Sequence, residues 1–280
     1  MNLLENISKK TATLSDGQKK ISDFLLRDGS ALLVSTAREV AESIGVSEST
    51  VVRFAKELGY KGFPDFKRHL RKELRPRLRA AVRMQETITR IGRGENIVTK
   101  LIERDIQLLT ETLESISHAD FQKAVEAIWR AQKIFVVGFS SSLALACFLQ
   151  FRLTRLGKKV QWIFLTGGTS LLEQLAFVER GDLVIAIGFL RTPQETRTAV
   201  EHAKKIGARV LGITDLPGTP IAQKADICLI ARRGLHTTVN SLTAPFSLVN
   251  ALVIAVALAK KADSLKALKH LDELLERYPV

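Results

Sequence analysis

Residues 36–59 read TAREVAESIGVSESTVVRFAKELG, a short stretch that gathers hydroxyls and positive charge. At about 100° per residue, Ser49, Arg53 and Lys56 centre on one face of a helix. Val51, Phe54 and Leu58, with Ala55 beside them, take the opposite face. Such a helix buries one side and presents donors on the other. An arginine on the exposed side suits guanine, because its planar fork matches the O6 and N7 acceptors. Arg53 is therefore the first candidate for a base contact. Ser47, Thr50 and Lys61 are placed for phosphates, which position a protein without specifying sequence. Lys56 suits either role, and Ser49 shares its face.

A second group of residues suits anions. Gly138-Phe139-Ser140-Ser141-Ser142 follows a β-rich run and opens a helix-length segment, Leu143–Leu156. Hydroxyls and backbone amides at a helix N-terminus attract anions; plain capping by serine is the competing reading. Further on stands Gly188-Phe189-Leu190-Arg191-Thr192, again between a β-rich run and a helical one. Arg191 there either supplies charge to a carboxylate or phosphate or faces solvent or a partner chain. Asp215, before Pro217-Gly218, is read as a turn cap ahead of a ligand contact. His236 is a lone imidazole, and such a group is more often structural than catalytic.

The first group needs two helices held at a tight turn. Ala41 is small enough for close approach. Gly45, four residues on, can turn through positive φ. Val46 plugs the turn, Ser47 caps the next helix, and Val51 packs inward. Alanine, glycine and valine at offsets 0, 4 and 10 make a helix-turn-helix pattern. Before residue 95 everything reads as helix, with Leu14, Ile21, Leu25 and Leu26 near helical spacing and Ser15 as a cap. From Lys61 to Arg93 eleven Lys/Arg stand against three acids, which is +8 of the whole chain's +13. A charge run is ordinarily a solvated face; directly after a DNA-binding motif, DNA is the better reading. Gly92 and Gly94 then loosen the chain before an amphipathic helix, Ile97–Ile116.

The second group needs a sheet. Strands are read at Ile134–Val137, Val160–Phe164, Leu183–Ile187, Val210–Ile213 and Ile227–Ile230, alternating with helix-length segments. That alternation gives a parallel sheet covered by helices on both sides. The expected division is residues 1–78 as the helix-turn-helix domain, 79–119 as basic linker and connecting helix, and 120–280 as the α/β domain.

The run VAESIGVSESTVVRFAKELGYKGFPDFKRHLRKEL (40–74) closely resembles the N-terminal domain of the RpiR/MurR family of bacterial regulators, with Arg53, Gly59, Tyr60, Gly62 and Phe63 on its signature. Residues from about 120 to 260 resemble a SIS (sugar isomerase) domain, through Leu156-Gly157, AKKIGARVLGITD (203–215) and PIAQKADICL (220–229). The resemblance implies an all-α helix-turn-helix domain followed by a Rossmann-like α/β domain with a five-stranded parallel sheet. It implies double-stranded operator DNA, a sugar phosphate or similar small anion as effector, and a homodimer or homotetramer. Ser140, Ser141, Ser142, Arg191 and Thr192 are the ligand-site candidates. Two departures stand out. The family's first loop reads roughly GxGxS, and Ser140 replaces its second glycine. The family's SxSGxT loop has lost both serines, with Arg191 at the glycine.

Composition bounds the rest. Hydrophobic residues make up 46% of 280, enough for real cores. Cys147 and Cys228 sit in apolar runs and read as buried thiols of a reducing compartment. No Cys/His spacing resembles a zinc site, and no cofactor is implied. Residues 1–8 are polar and do not read as a signal peptide. The run Phe246–Ala259 is shorter than the roughly 20 residues a bilayer needs, so it reads as a core helix and the chain as cytoplasmic. The expectation is a ligand-responsive DNA-binding regulator and no enzyme. Two alternatives stay open: a DNA-binding protein whose α/β domain only oligomerises, and a sugar-phosphate isomerase, which would need paired acid and base groups in its crevice.

Overall fold

A computed structural model describes residues 7, 14–29, 31–33, 35–92, 96–163 and 168–278. The chain divides into two compact units, residues 1–108 with 233–241, and residues 109–232 with 242–280.

The first unit opens with α1 (Asp16–Asp28), a 3-10 turn (Ala31–Leu33), α2 (Ala37–Ile44), α3 (Glu48–Glu57), α4 (Phe63–Arg77) and α5 (Ala80–Ile91). Each early start has a visible cause. Gln18 accepts from the Ser15 amide at 3.0 Å. Thr36 and Glu39 cap each other, the Thr36 Oγ1 accepting from the Glu39 amide at 3.2 Å and the Glu39 carboxylate from the Thr36 amide at 2.7 Å. One core gathers Leu14, Ile21, Leu25, Leu32, Val40, Val51, Phe54, Phe66, Leu70 and Leu74. Leu26, read with this stripe, is exposed instead; one step past Leu25 turns it off the buried face.

The helix α6 (Ile97–Ser115) begins in the first unit and ends in the second. The second unit continues with α7 (His118–Arg130), β1 (Ile134–Gly138), a 3-10 turn (Ser140–Ser142), α8 (Leu143–Arg155), β2 (Val160–Ile163), α9 (Gly168–Leu175) and β3 (Leu183–Ile187). Then come α10 (Gln194–Ile206), β4 (Arg209–Thr214), α11 (Pro220–Lys224), β5 (Ile227–Ile230), α12 (Thr243–Ala259) and α13 (Lys261–Arg277). All five expected strands form; Phe164, read as the end of the second, lies outside the described residues, as does Gly94.

The sheet is wholly parallel, in order β2-β1-β3-β4-β5. Its two faces follow the strand period of two. Ile134, Val136, Leu183, Ile185, Leu211 and Ile213 face one core with α7, α8 and α12. Phe135, Val137, Val184, Ala186 and Val210 face the other, with α9 and α10. The inner strands β1 and β3 are buried throughout, while the edge strands β2 and β5 are not. The apolar run read as a core helix is α12, its Leu248, Val249, Leu252, Val253 and Val256 buried. No single helix among the described residues is long and apolar enough to cross a membrane. The thiols correct an expectation: Cys147 is exposed and Cys228 only half-buried. An apolar run on a surface helix still has an outer side, and Cys147 falls there.

Candidate functional site: a recognition helix and an anion crevice

Gly45 closes α2 in the left-handed region at φ 67°, and the Val46 amide donates back to the Ala41 carbonyl at 3.0 Å. The chain thereby leaves α2 and enters α3 with three residues, Gly45, Val46 and Ser47, between them. Ser47 caps α3, its Oγ accepting from the Thr50 amide at 3.2 Å. The Ser49 and Thr50 hydroxyls lie 2.9 and 2.8 Å from the same oxygen. Val51, Phe54, Ala55 and Leu58 are buried; Ser47, Ser49, Arg53, Lys56 and Lys61 are exposed. Thr50 is half-buried, its neighbour being Gly17 of α1, where a Cβ would meet the Thr50 methyl at 3.2 Å. Ser47, Ser49 and Thr50 thus stand at the N-terminal end of α3, where a helix in the major groove meets base edges, with Arg53 near its middle, Lys56 in its last turn and Lys61 beyond it.

Sequence reasoning did not find the contact that steadies the far end of α3. Gln18 Nε2 donates to the Glu57 carboxylate at 2.7 Å, tying α1 to its last turn. The basic stretch also divides in a way its composition hides. Lys67 Nζ donates to the Ser35 carbonyl at 2.8 Å and Arg71 to the Leu33 carbonyl at 3.2 Å. Burial pushes the Lys67 ammonium below its ordinary pKa. Arg68 pairs with Asp65, whose carboxyl is held below its usual range chiefly by that hydrogen bond, and Arg90 pairs with Glu86. Lys61, Lys72 and Arg79 remain exposed. Part of the +8 therefore serves the fold, which the alternative of a simple charged face did not foresee either.

The crevice lies where strand order reverses. β1 and β3 are neighbours, with Gly138 in register with Ile187, although their following chains depart to helices on opposite faces. In open parallel sheets that switch point is where ligands bind, beyond the carboxyl ends of the strands. It brings together the two loops picked out in the sequence. Ser140 and Ser141 are exposed and Ser142 is buried in the turn before α8. Ser140 has φ 58°, the one non-glycine residue in the left-handed region among those described. This is why the family places glycine there. Arg191 is exposed at the entrance to α10. Thr192 is buried, and its hydroxyl donates to the Phe189 carbonyl at 2.8 Å, so it shapes the loop. Arg197 braces the same turn by donating to the Thr192 carbonyl at 3.0 Å.

The lost serine has a local reason. A Cβ at Gly188 would stand 2.6 Å from the Ile221 side chain and 3.3 Å from the Thr192 methyl. Ile221 fills the space a side chain at 188 would take. The next helix is capped by Thr219, whose hydroxyl accepts from the Ala222 amide at 3.3 Å and starts α11. Asp215 and His236 are both buried. No group of three His, Cys, Asp or Glu among the described residues could hold a metal ion.

A helix-turn-helix head with an outward cationic helix, joined to a parallel α/β domain with an anion-suited crevice, defines a two-part DNA-binding transcription regulator. Residues 1–77 match the helix-turn-helix domain of the rpiR family and residues 127–255 match the SIS domain. The SIS unit is similar to the sugar isomerase domain of an RpiR transcription factor from Sphaerobacter thermophilus, at 29% identity and TM-score 0.61, over 64% of this chain and 99% of that one. The Vibrio vulnificus NanR protein, solved with ManNAc-6P, shares the fold over 99% of this chain and 98% of that chain, at 22% identity and TM-score 0.62. The phosphoheptose isomerase GmhA from Neisseria gonorrhoeae shares the α/β fold at 16% identity and TM-score 0.50, over 57% of this chain and 97% of that chain.

Proposed function

We propose that this regulator binds operator DNA through α3 and that the β1/β3 crevice takes a sugar phosphate or a similar small anion, which changes operator affinity. The observation that carries the sensor half is the register of Gly138 with Ile187, which sets the serine turn and the Arg191 loop side by side. α8 and α10 both begin beyond the carboxyl ends of β1 and β3, and helix N-termini favour negative charge. Ser140, Ser141 and Arg191 are the proposed ligand contacts, with Ser142 and Thr192 holding the loops. NanR's ManNAc-6P makes an N-acetylated sugar phosphate the first probe. On the DNA side, Arg53 reads a base, Ser49 and Lys56 stand beside it, and Ser47, Thr50 and Lys61 meet phosphates. The protein acts in the cytoplasm as a homo-oligomer.

The same crevice argues against an isomerase. The loops Gly138–Ser142 and Gly188–Thr192 contain no carboxylate or imidazole, and aldose–ketose interconversion needs a positioned acid and base. The changed loop after β3 favours a second reading, in which the SIS unit only assembles the oligomer.

Thermal unfolding of the full chain with sugar phosphates and sugar acids decides between them. A ligand at 100 times its Kd stabilises the folded state by about 2.7 kcal/mol. A clear rise in Tm that disappears in Arg191→Ala supports the sensor. A flat response across the set supports the assembly role.

A further inference from the structure

The first turn of α1 grips the recognition helix at two points. At residue 17 a Cβ would stand 3.2 Å from the Thr50 methyl and 3.7 Å from a Val46 methyl, so a side chain there would press on the first turn of α3. Glycine is a poor helix former, and its place as the second residue of α1 is explained by that close approach. At residue 18 the side-chain amide is held at both ends. Its Oε1 accepts from the Ser15 amide at 3.0 Å and from the Ser15 hydroxyl at 3.1 Å, and its Nε2 donates to the Glu57 carboxylate at 2.7 Å. The reversed amide would set oxygen against carboxylate, two acceptors with no proton between them. Gln18 is therefore a buried side chain fixed in one orientation.

Thr50 and Glu57 stand about 10.5 Å apart along α3 and within about 20° of one line on its surface. That line borders the buried face, with Phe54 about 40° to one side and Arg53 about 60° to the other. Two grips on one line fix the tilt of a helix and its rotation together. Arg53 lies between them along the axis, so its reach toward a base depends on where they hold. We propose that Gly17 and Gln18 are positioning residues for DNA reading: neither touches a base, and together they set the angle at which α3 presents Arg53, and hence the sequence preference. The inference rests on the reading of α3 as the recognition helix. A bidentate arginine must meet O6 and N7 of guanine at once, so a small rotation of α3 costs it. Phosphate contacts position without specifying, and long flexible lysines keep them through the same rotation. Loss of the clamp therefore lowers preference more than affinity.

The test uses the full chain and two duplexes of equal length: one selected by the wild type from a random-sequence pool, and one with that sequence scrambled. Fluorescence anisotropy gives the ratio of the two affinities, on which a change in net charge has little effect because it acts on both duplexes alike. Gln18→Glu keeps the Ser15 cap, since Ser-x-x-Glu is a capping box, but sets carboxylate against carboxylate at Glu57. Its ratio is expected to fall roughly tenfold, within the discrimination that one base contact supplies, with Tm close to that of the wild type. Gln18→Glu combined with Glu57→Gln reverses the donor, keeps the wild-type net charge and should restore the ratio. Gly17→Ala favours α1 as a helix while pressing on Thr50, and should lower the ratio with no loss of Tm. A wild-type ratio in both Gln18→Glu and Gly17→Ala overturns the clamp, as does a ratio lost in Gln18→Glu that the reversed pair fails to restore. Where Gln18→Glu does not fold, a wild-type ratio in Gly17→Ala overturns it. A wild type that selects no sequence removes the recognition-helix reading and the clamp with it. A wild type that selects one, while the clamp variants keep its ratio, leaves that reading standing alone.

Discussion

The Arg83 guanidinium donates to the Asn240 side-chain carbonyl at 2.6 Å. Its Nε donates to the Thr238 backbone carbonyl at 2.7 Å. Thr87, one turn along α5, accepts from the Val239 amide at 2.8 Å, and Arg104 donates to the Val239 carbonyl at 3.0 Å. The segment Arg233–Ser241, which follows β5 in the chain, is therefore held by two arginines and a buried threonine of the first unit. Arg83→Met keeps much of the stem and removes both charged bonds. Hydrogen bonds to charged groups contribute about 1.5–3 kcal/mol, and half-exposure places the loss near the lower end. Hydrogen exchange should quicken at Val239 and stay unchanged at Leu211 in the sheet. Equal protection of Val239 in both proteins would show that Arg83 does not hold the segment.

Arg53 and Lys61 should fail differently. Arg53→Ala should lose about 1–3 kcal/mol of discrimination at one base pair. Lys61→Ala should weaken all duplexes alike and lower the slope of log K against log salt by about 1. Fluorescence anisotropy with operator variants at several salt concentrations separates the two. Unchanged discrimination in Arg53→Ala removes it from base reading.

Two turns rest on left-handed backbone, one with glycine and one without. At Gly45 a Cβ would meet nothing within 4 Å, so Gly45→Ala isolates the cost of φ 67° from any clash. That cost should be about 1 kcal/mol, seen as a lower urea midpoint at constant m-value. Ser140→Gly should do the reverse and stabilise by up to about 1 kcal/mol. If it also weakens sugar-phosphate binding, the Ser140 hydroxyl is a ligand contact and the strain at φ 58° is maintained for that purpose. Unaltered binding leaves Ser140 a tolerated replacement.

What the sequence could show follows from how far each signal reaches along the chain. Val51, Phe54 and Leu58 declare a buried face at helical spacing, and Gly45 declares its turn, because both are local. The strands at Leu183–Ile187 and Ile227–Ile230 stand where their apolar runs placed them. Charge is poorer evidence. Lys67 and Arg71 look like the other cations of their stretch, and only the fold turns them onto the carbonyls of Ser35 and Leu33. The bond from Gln18 to Glu57 spans 39 residues, and no spacing rule reaches that far. The missing serine at Gly188 is visible in the sequence, but its cause, the Ile221 side chain, lies on another element.

The two thiols should part company under alkylation. Cys147 is exposed on α8. Burial pushes the Cys228 thiol up to about 12, with the negative charge of Asp120 adding to it. The thiolate is the nucleophile, and at pH 8 a group of that pKa is about one part in ten thousand ionised. Iodoacetamide at pH 8 should therefore modify Cys147 within minutes and leave Cys228 intact in the folded protein. Because the pKa is raised, labelling of Cys228 should climb as pH rises toward 12, and in urea at pH 8 it should become as fast as that of Cys147. Mass spectrometry of tryptic peptides after timed quenching reads both rates. Equal labelling of the two in the folded chain at pH 8 would mean that the β5 edge opens to solvent and that burial does not control the Cys228 thiol.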